Sequence, residues 1–388
     1  MFVVIPAYKE KFSVVKRTLE SLNIAAKNYD KKVSVLVLVN WNARDDQNTI
    51  ELSYDLHSNL VELELEYCHF KVFKNELSGK KSGVGMARKI LMDTAFRNML
   101  QFGIDGLIIN LDADTAVSGN YFTEIDKQFL LHPRCEAASI AFEHIDDSNN
   151  NDSITAYELH LRCFVNMQRL LKLPFAYQTV GSAMVVRRDA YAKEGGMVKR
   201  QAGEDFYFLH KYSKNQTLFD INTTCVFPSS RGSDRVPFGT GKAVNDLNDF
   251  GAHSSTTYNT KSFIVLEEWL IKIHNKAKVK LEYKEDWAKS DDSFLNKFLE
   301  SIEAQVNIKQ IVENVTNYEA FKKRFYNWFD AFTLMKYLHY VRDLGYADIP
   351  IDEACDFLFE QLKLNNNPNR NEKLKTLRSY DLNNVYHY

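Results

Sequence analysis

The sequence predicts an α/β fold in which a Rossmann-type, mostly parallel sheet is flanked by helices and followed by an α-helical C-terminal domain. Up to about residue 228, short β-branched runs alternate with longer stretches of helical periodicity, as βαβ units do. Several of these runs are continuously apolar, which is typical of strands buried on both faces. From about residue 261 onward the strand patterns vanish and only helical stripes remain.

The predicted elements follow from the spacing of the apolar residues. Between the strands, apolar side chains recur at helical spacing from Val14 to Ala26 and from Ala87 to Met99, so each of these helices has one sheet-facing stripe. The predicted strands are, in chain order, residues 2–5, 33–39, 107–111, 137–142 and 180–186.

Residues 229–260 differ from both flanking regions. Five Gly and Pro residues stand there among Ser, Thr, Asn and Asp, which is the composition of turns and loops. Long loops without secondary structure are more often lids or binding loops than idle linkers. The prediction is a catalytic domain at 1–228, a glycine-containing active-site loop at 229–260 and a helical domain at 261–388.

Composition and charge exclude several classes of protein. The chain has 388 residues, of which 45% are hydrophobic and 26% charged, so it has the material for a folded core. Its formal net charge of -2 predicts no nucleic-acid partner. The five cysteines are never spaced as CxxC, which indicates free thiols. With no transmembrane segment and no secretory signal, we expect a cytoplasmic protein that can still touch the inner face of a membrane.

Two acids one residue apart, Asp112 and Asp114, directly follow the predicted strand 107–111. Ligands of an open α/β sheet bind at the carboxyl ends of its strands. Two such acids can converge on one hard cation that keeps free positions for phosphate oxygens. The pattern predicts a diphosphate bound through a divalent metal, although an Asp-x-Asp at a strand exit also occurs as a turn or helix cap.

Five short signatures, in order, resemble those of family 2 glycosyltransferases, which have the GT-A fold. They lie within residues 1–228 and are Phe2-Val-Val-Ile-Pro-Ala-Tyr-Lys-Glu10, Gly83-Val-Gly-Met-Ala-Arg-Lys89, Asp112-Ala-Asp114, Gly181-Ser-Ala-Met184 and Gly203-Glu-Asp205. The resemblance implies inverting transfer of a sugar from a nucleoside diphosphate donor, with a UDP-sugar as first choice, to a hydroxyl acceptor in glycan biosynthesis. It also implies Mn²⁺ or Mg²⁺ as cofactor.

The resemblance assigns roles to individual residues. Asp205 would be the base that removes the acceptor proton, with Glu204 in reserve; both stand where a helix start would favour a charged carboxylate. Asp114 would be the principal metal ligand, and Asp112 would contact the ribose or a metal-bound water. His253 is the candidate for a further metal ligand. The nucleotide sugar is expected to contact Pro6, Ala7, Tyr8, Glu10, Asn40, Arg88, Asp112, Ala113 and Asp114.

The chain departs from the family pattern at three positions. Lys9 stands where Asn is usual, Asn40-Trp41-Asn42 offers no acid after the second strand, and Phe227 occupies a plausible place for a metal-binding His. The acid that would read the nucleotide base is therefore open between Asp45 and Asp46.

Other residues are candidates for the diphosphate and the acceptor. Arg231 and Arg235 stand among glycines, so this segment can close over a diphosphate and exclude water. His160 and Arg162 can hydrogen-bond a hydroxyl or carboxylate acceptor, which is a glycan, a lipid-linked sugar or a small molecule. By resemblance, Gly181 and Ser182 lie on the acceptor side. A homo-oligomer is compatible with the helical region.

Two other functions remain open from the sequence. The departures favour a catalytically inactive GT-A-like protein that binds sugar nucleotides or glycans, and a retaining glycosyltransferase would share the sheet. No Gly-x-Gly-x-x-Gly turn follows the first strand, which argues against a nicotinamide oxidoreductase. A nucleotide-sugar pyrophosphorylase lacks its Gly-rich, Arg-containing loop there.

Overall fold

The computed structural model describes residues 1–79, 82–145, 151–200, 203–232 and 239–385. Within this part of the chain there are two compact units. The first unit takes in Met1–Ile154, Tyr177–Asp249 and the residues from Leu377 onward, and the second takes in Thr155–Ala176 and Phe250–Thr376.

The first unit is built on one eight-stranded mixed sheet. Its strands are β1 (Phe2–Ala7), β2 (Ser34–Asn42), β3 (His69–Leu77), β4 (Leu107–Asn110), β5 (Ala116–Val117), β6 (Ala137–Phe142), β7 (Met184–Arg187) and β8 (Leu218–Phe227). Their order across the sheet is β3-β2-β1-β4-β7-β6-β8-β5.

The strand order of the sheet reverses between β1 and β4. The chain goes from β1 to β2 and β3 on one side, and then returns to place β4 on the other side of β1. Both neighbours are parallel to β1, and Val4 is in register with Asn110. The carboxyl ends of β1 and β4 therefore meet at one edge of the sheet, which is the position where α/β sheets hold ligands.

Helices cover the sheet. Local sequence explains where several begin: the Asp46 side chain accepts from the Thr49 N–H and caps α2, and Gly203 adopts φ +70° just before α7. The helices of this unit are α1 (Phe12–Lys27), α2 (Gln47–Val61), α3 (Val84–Gln101), α4 (Tyr121–Leu131), α6 (Arg188–Lys193), α7 (Glu204–Lys214) and α8 (Thr240–Phe250). Two further helices, α5 (Asn151–Leu170) and α15 (Arg370–Asn383), have residues in both units.

The second unit is helical and has a core rich in aromatic side chains. Trp269, Phe325 and Phe329 are buried together, with ring centroids 5.6–6.1 Å apart. Its elements are β9 (Thr256–Thr257), α9 (Thr260–Val279), α10 (Ser293–Ser301), α11 (Ala304–Glu313), α12 (Tyr318–Trp328), α13 (Ala331–Leu344), β10 (Ile349–Pro350) and α14 (Ile351–Leu362). None of the described helices is long and apolar enough to cross a membrane.

The predicted fold class is confirmed: a largely parallel sheet flanked by helices precedes a helical C-terminal region. The sequence did not predict β3, because it is an edge strand with exposed polar side chains and lacks an apolar run. Nor did it predict β8, which interrupts its apolar residues with Asp220, Asn222 and two threonines. Part of the predicted loop at 229–260 is helical, since α8 spans Thr240–Phe250. The five cysteines all lie within the described residues, and none of them forms a disulfide.

Candidate functional site

A buried arginine joins acids from two distant parts of the sequence. Arg88, on the second turn of α3, is 3% exposed, and its two terminal nitrogens donate separately to Asp112 and Glu204. Asp112 follows β4, and Glu204 opens α7 beside Asp205. These four residues are the Arg88 cluster, and they lie at the carboxyl end of β4.

Gly181 leaves the room that the Arg88 side chain occupies. It begins the short 3-10 turn Gly181–Ala183 before β7, and Asn110 at the end of β4 is in register with Met184. A Cβ at Gly181 would lie 2.8 Å from the Arg88 Cζ, so the guanidinium packs against the bare backbone. The Gly83–Lys89 and Gly181–Met184 signatures thus meet through packing of the arginine.

The environment of the Arg88 cluster alters the proton affinity of its members. Burial raises the pKa of Asp205 to about 7; the neighbouring Glu204 charge adds to this, and Arg88 opposes it. Burial likewise raises the pKa of Glu204, again against the opposing effect of Arg88. For Arg88 itself, burial alone would lower the pKa, but the surrounding carboxylates outweigh it and raise the pKa. The arginine therefore stays charged, and Asp205 gains or loses its proton near neutral pH.

A second arginine contacts the other acid of the Asp-x-Asp pair. Arg231 Nη2 lies 2.5 and 2.6 Å from the two carboxylate oxygens of Glu10, and its Nε lies 3.1 Å from Asp114 Oδ2. We call these three residues the Arg231 cluster. Glu10 is buried at 3% exposure just after β1, whereas the Arg231 side chain is 31% exposed.

The end of β8 determines where Arg231 stands. Phe227, the last residue of β8, pairs with Ala116, which lies two residues beyond Asp114. Ser229 then bridges to Ile145 and Ser230 is fully buried, so the chain that follows runs back toward the acid. The Arg231 guanidinium thereby reaches the carboxylate of Asp114, the acid that was expected to bind a metal.

Asp45 and Asp46, the two candidates for reading the nucleotide base, have different partners. Tyr8 donates to Asp45 Oδ1 at 2.8 Å, and the Asn42 N–H donates to Asp45 Oδ2 at 2.8 Å. Asp46 is committed to the cap of α2. Lys9 has φ +54°, a left-handed conformation that Asn adopts more readily than Lys. Asp45 is the acid that lies beside Tyr8.

The remaining predicted donor residues lie near the same edge. Pro6 and Ala7 are buried at the end of β1, and the Ala113 carbonyl accepts from Thr18 Oγ1 at 2.9 Å. Asn40, and Ser182 on the expected acceptor side, are buried with a side-chain oxygen that has no hydrogen-bond partner among the described residues. A ligand or water would satisfy such atoms.

Three of the predicted site residues belong to the second unit, and a fourth lies outside the described residues. His160 and Arg162 are on the part of α5 that belongs to the second unit, where His160 bonds Thr257 at 2.8 Å and Arg162 is buried and paired with Glu158. Burial lowers the pKa of His160 to about 4. His253 is exposed in the same unit. Arg235 lies outside the described residues, and the roles given to all four stay predictions.

The acids at the edge of the sheet suit a hard cation in charge and ligand type. Among the described residues, the two clusters hold five carboxyl groups and two guanidinium groups, so acids outnumber bases even when Asp205 keeps its proton. Carboxylate oxygens are the ligands that Mg²⁺ and Mn²⁺ prefer. In the part of the chain that is described, no three His, Cys, Asp or Glu side chains stand together as a metal site. The other ligands of such an ion would have to be phosphate oxygens or water.

Comparison with known proteins finds only distant structural similarity. No family model matches the chain, and no curated protein matches it. The solved structures that it resembles include S. aureus TarS 1-349 in complex with UDP-GlcNAc, at 12% identity over 80% of this chain and 90% of that chain with a TM-score of 0.41. TarS 1-349 in complex with UDP gives 12% identity, 84% and 88% coverage and a TM-score of 0.38.

Proposed function

We propose that this chain is a glycosyltransferase that moves a sugar from a nucleoside diphosphate donor, first a UDP-sugar, to a hydroxyl acceptor with inversion. One observation carries the proposal: Arg88 joins Asp112, at the end of β4, to Glu204 and the adjoining Asp205. The acid at the strand exit and the candidate base therefore share one edge of the sheet, at the point where the strand order reverses.

In this proposal Asp205 is the general base. The acceptor oxygen attacks the anomeric carbon, its proton passes to the Asp205 carboxylate, and the bond from the anomeric carbon to the phosphate oxygen breaks. The electron pair of that bond leaves with the nucleoside diphosphate. A base works best when its pKa lies near the working pH, and the pKa of Asp205 is raised to about 7.

Arg88 positions this base. Its guanidinium fixes Glu204 at the first position of α7, and Asp205 follows within the same turn. The Asp205 Oδ1 accepts from the Phe206 N–H at 2.7 Å, which orients the carboxylate. Arg88 was expected to contact a phosphate, and its terminal nitrogens donate to the Glu204 and Asp112 carboxylates.

Asp114 and Asp112 are the residues that would hold Mn²⁺ or Mg²⁺. When bound, the ion would neutralise charge on the departing diphosphate. An excess of carboxylates over guanidinium groups would otherwise repel that anion. On the nucleotide side, Tyr8 and Asp45 form a hydrogen-bonded pair beside the end of β1, which suits recognition of a base and ribose.

A screen of nucleotide sugars by thermal shift, with and without Mn²⁺, identifies the donor, because a ligand that binds the folded state raises its stability. Release of nucleoside diphosphate in the presence of acceptors then measures transfer. Asp205→Asn should lower transfer by about 10²–10⁴-fold and keep donor binding. Asp189→Asn, an exposed acid at the start of α6, is the matched control.

Full turnover in Asp205→Asn would contradict the assignment of the base. Donor binding without transfer to any acceptor would favour the binding protein instead. A product that retains the anomeric configuration of the donor would favour the retaining enzyme.

A further inference from the structure

We propose that Arg231 competes with the divalent cation for Asp114, so that the cation must displace its guanidinium before it can bind. This inference rests on the proposed function, which assigns Asp114 to the cation. The inference gives Arg231 a new role: this residue sets the affinity of the site for the cation without being a ligand of it.

The geometry shows how the guanidinium blocks one face of Asp114. Both Arg231 Nε, at 3.1 Å, and Arg231 Nη2, at 2.9 Å, point to the same oxygen, Asp114 Oδ2. Glu10 holds Nη2 from the other side with both of its oxygens. Because Glu10 is buried, it fixes the guanidinium against Asp114.

Charge makes the two occupants of Asp114 mutually exclusive. A cation bound at Asp114 Oδ2 would stand within a few ångström of the guanidinium, and like charges at that separation repel strongly where water is partly excluded. An arginine guanidinium keeps its proton at any working pH, so the charge of Arg231 is not lost by deprotonation. The guanidinium has to move away from Asp114.

Arg231 can make that movement, whereas Arg88 is poorly placed to do so. The Arg231 side chain is 31% exposed, and its contact with Glu10 can persist when Asp114 is released. Arg88 is 3% exposed and is packed against Gly181. Asp114 is therefore the acid that the cation gains first, and a released Arg231 is free to pair with a diphosphate oxygen.

Direct measurement of Mn²⁺ binding without nucleotide tests this competition, with free Mn²⁺ followed by its EPR signal. Arg231→Gln should bind Mn²⁺ roughly tenfold more tightly than the wild type, because the competing charge is gone. Arg231→Lys keeps the charge and should stay close to the wild type. Arg134→Gln, which changes an exposed arginine in the turn after α4, should have no effect. Asp114→Asn combined with Arg231→Gln should abolish the gain.

Equal Mn²⁺ affinity in the wild type and Arg231→Gln, or absence of Mn²⁺ binding in both, would overturn the inference. Circular dichroism verifies that each variant is folded. Donor binding and transfer, measured on the same preparations, separate the two proposals. Transfer with unchanged Mn²⁺ affinity rejects only the competition, whereas tighter Mn²⁺ binding without any transfer supports the competition and rejects the enzyme.

Discussion

The raised pKa of Asp205 predicts that replacing this acid stabilises the fold in alkaline solution. In the folded protein Asp205 holds its proton up to about pH 7, whereas in the unfolded chain it ionises near the ordinary value of 3.8. The folded state therefore binds more protons between these two values. The stability that Asp205 contributes is complete below pH 3.8 and is lost as the pH rises through 7.

The magnitude follows from the width of that window. Each pH unit in which only the folded state holds the proton changes the free energy of unfolding by about 1.4 kcal/mol. From pH 5 to pH 8 the window covers two units, so the wild type should lose about 3 kcal/mol relative to Asp205→Asn. At pH 8 the substitution also removes the negative charge that Asp205 places beside Glu204, and this further raises the stability of the variant relative to the wild type.

Urea denaturation at pH 5 and pH 8 measures this difference, with the linear slope checked for each protein. Asp189→Asn is the control: hydrogen bonding to Arg188 lowers the pKa of Asp189, so this acid is ionised in both states from pH 5 to pH 8. Its effect should not change with pH. The reasoning would be refuted if Asp205→Asn changed the free energy of unfolding equally at pH 5 and pH 8. It would also be refuted if the variant were less stable than the wild type at pH 8.

Three further expectations test other parts of the site. The rate of sugar transfer should increase as the pH rises through about 7, where Asp205 loses its proton. Glu204→Gln removes the negative charge that raises the pKa of Asp205, so it should move this increase to lower pH. Profiles of kcat/KM against pH measure both effects. Gly181→Ala places a Cβ 2.8 Å from the buried Arg88 Cζ and should lower the free energy of unfolding by about 1–3 kcal/mol. Gly106→Ala is the control, because the nearest atom to its Cβ is at 3.5 Å, an ordinary contact distance. Similar urea midpoints for the two variants would contradict this expectation. Asp46→Ala should lower the free energy of unfolding by about 1 kcal/mol, because the α2 cap is lost. It should leave nucleotide selectivity unchanged, and altered selectivity would contradict the choice of Asp45 over Asp46 as the acid that reads the base.

Local patterns predicted the parts of the site that depend on neighbours in sequence. The apolar run before Asp112 predicted a strand exit, and the pair Glu204–Asp205 before an apolar stripe predicted a helix start; β4 and α7 have these positions. In each case the signal is contained within a few residues, because strand burial and helix initiation are local properties.

The pairing of charges could not be predicted in this way. Arg88 meets Glu204 across 116 positions of sequence, and Arg231 meets Glu10 across 221. Such contacts depend on where the sheet brings its strand ends, and no periodic pattern records them. The polar edge strand β3 was missed for a related reason, since half of its side chains face solvent and leave no apolar signal.

The first unit draws on three separate stretches of the polypeptide, and this limits how the protein can be divided for study. Its last stretch contributes Arg378, which pairs with Glu143 at 3.4 Å, and the Asp381 carbonyl, which accepts from Asn222 at 2.6 Å. A recombinant fragment ending near residue 228 or 249 would lack these contacts, and it would retain residues 155–176 without the rest of the second unit. Expression of either fragment alone should therefore give poorly soluble material, and a nick in the polypeptide near residue 250 should leave the two pieces associated.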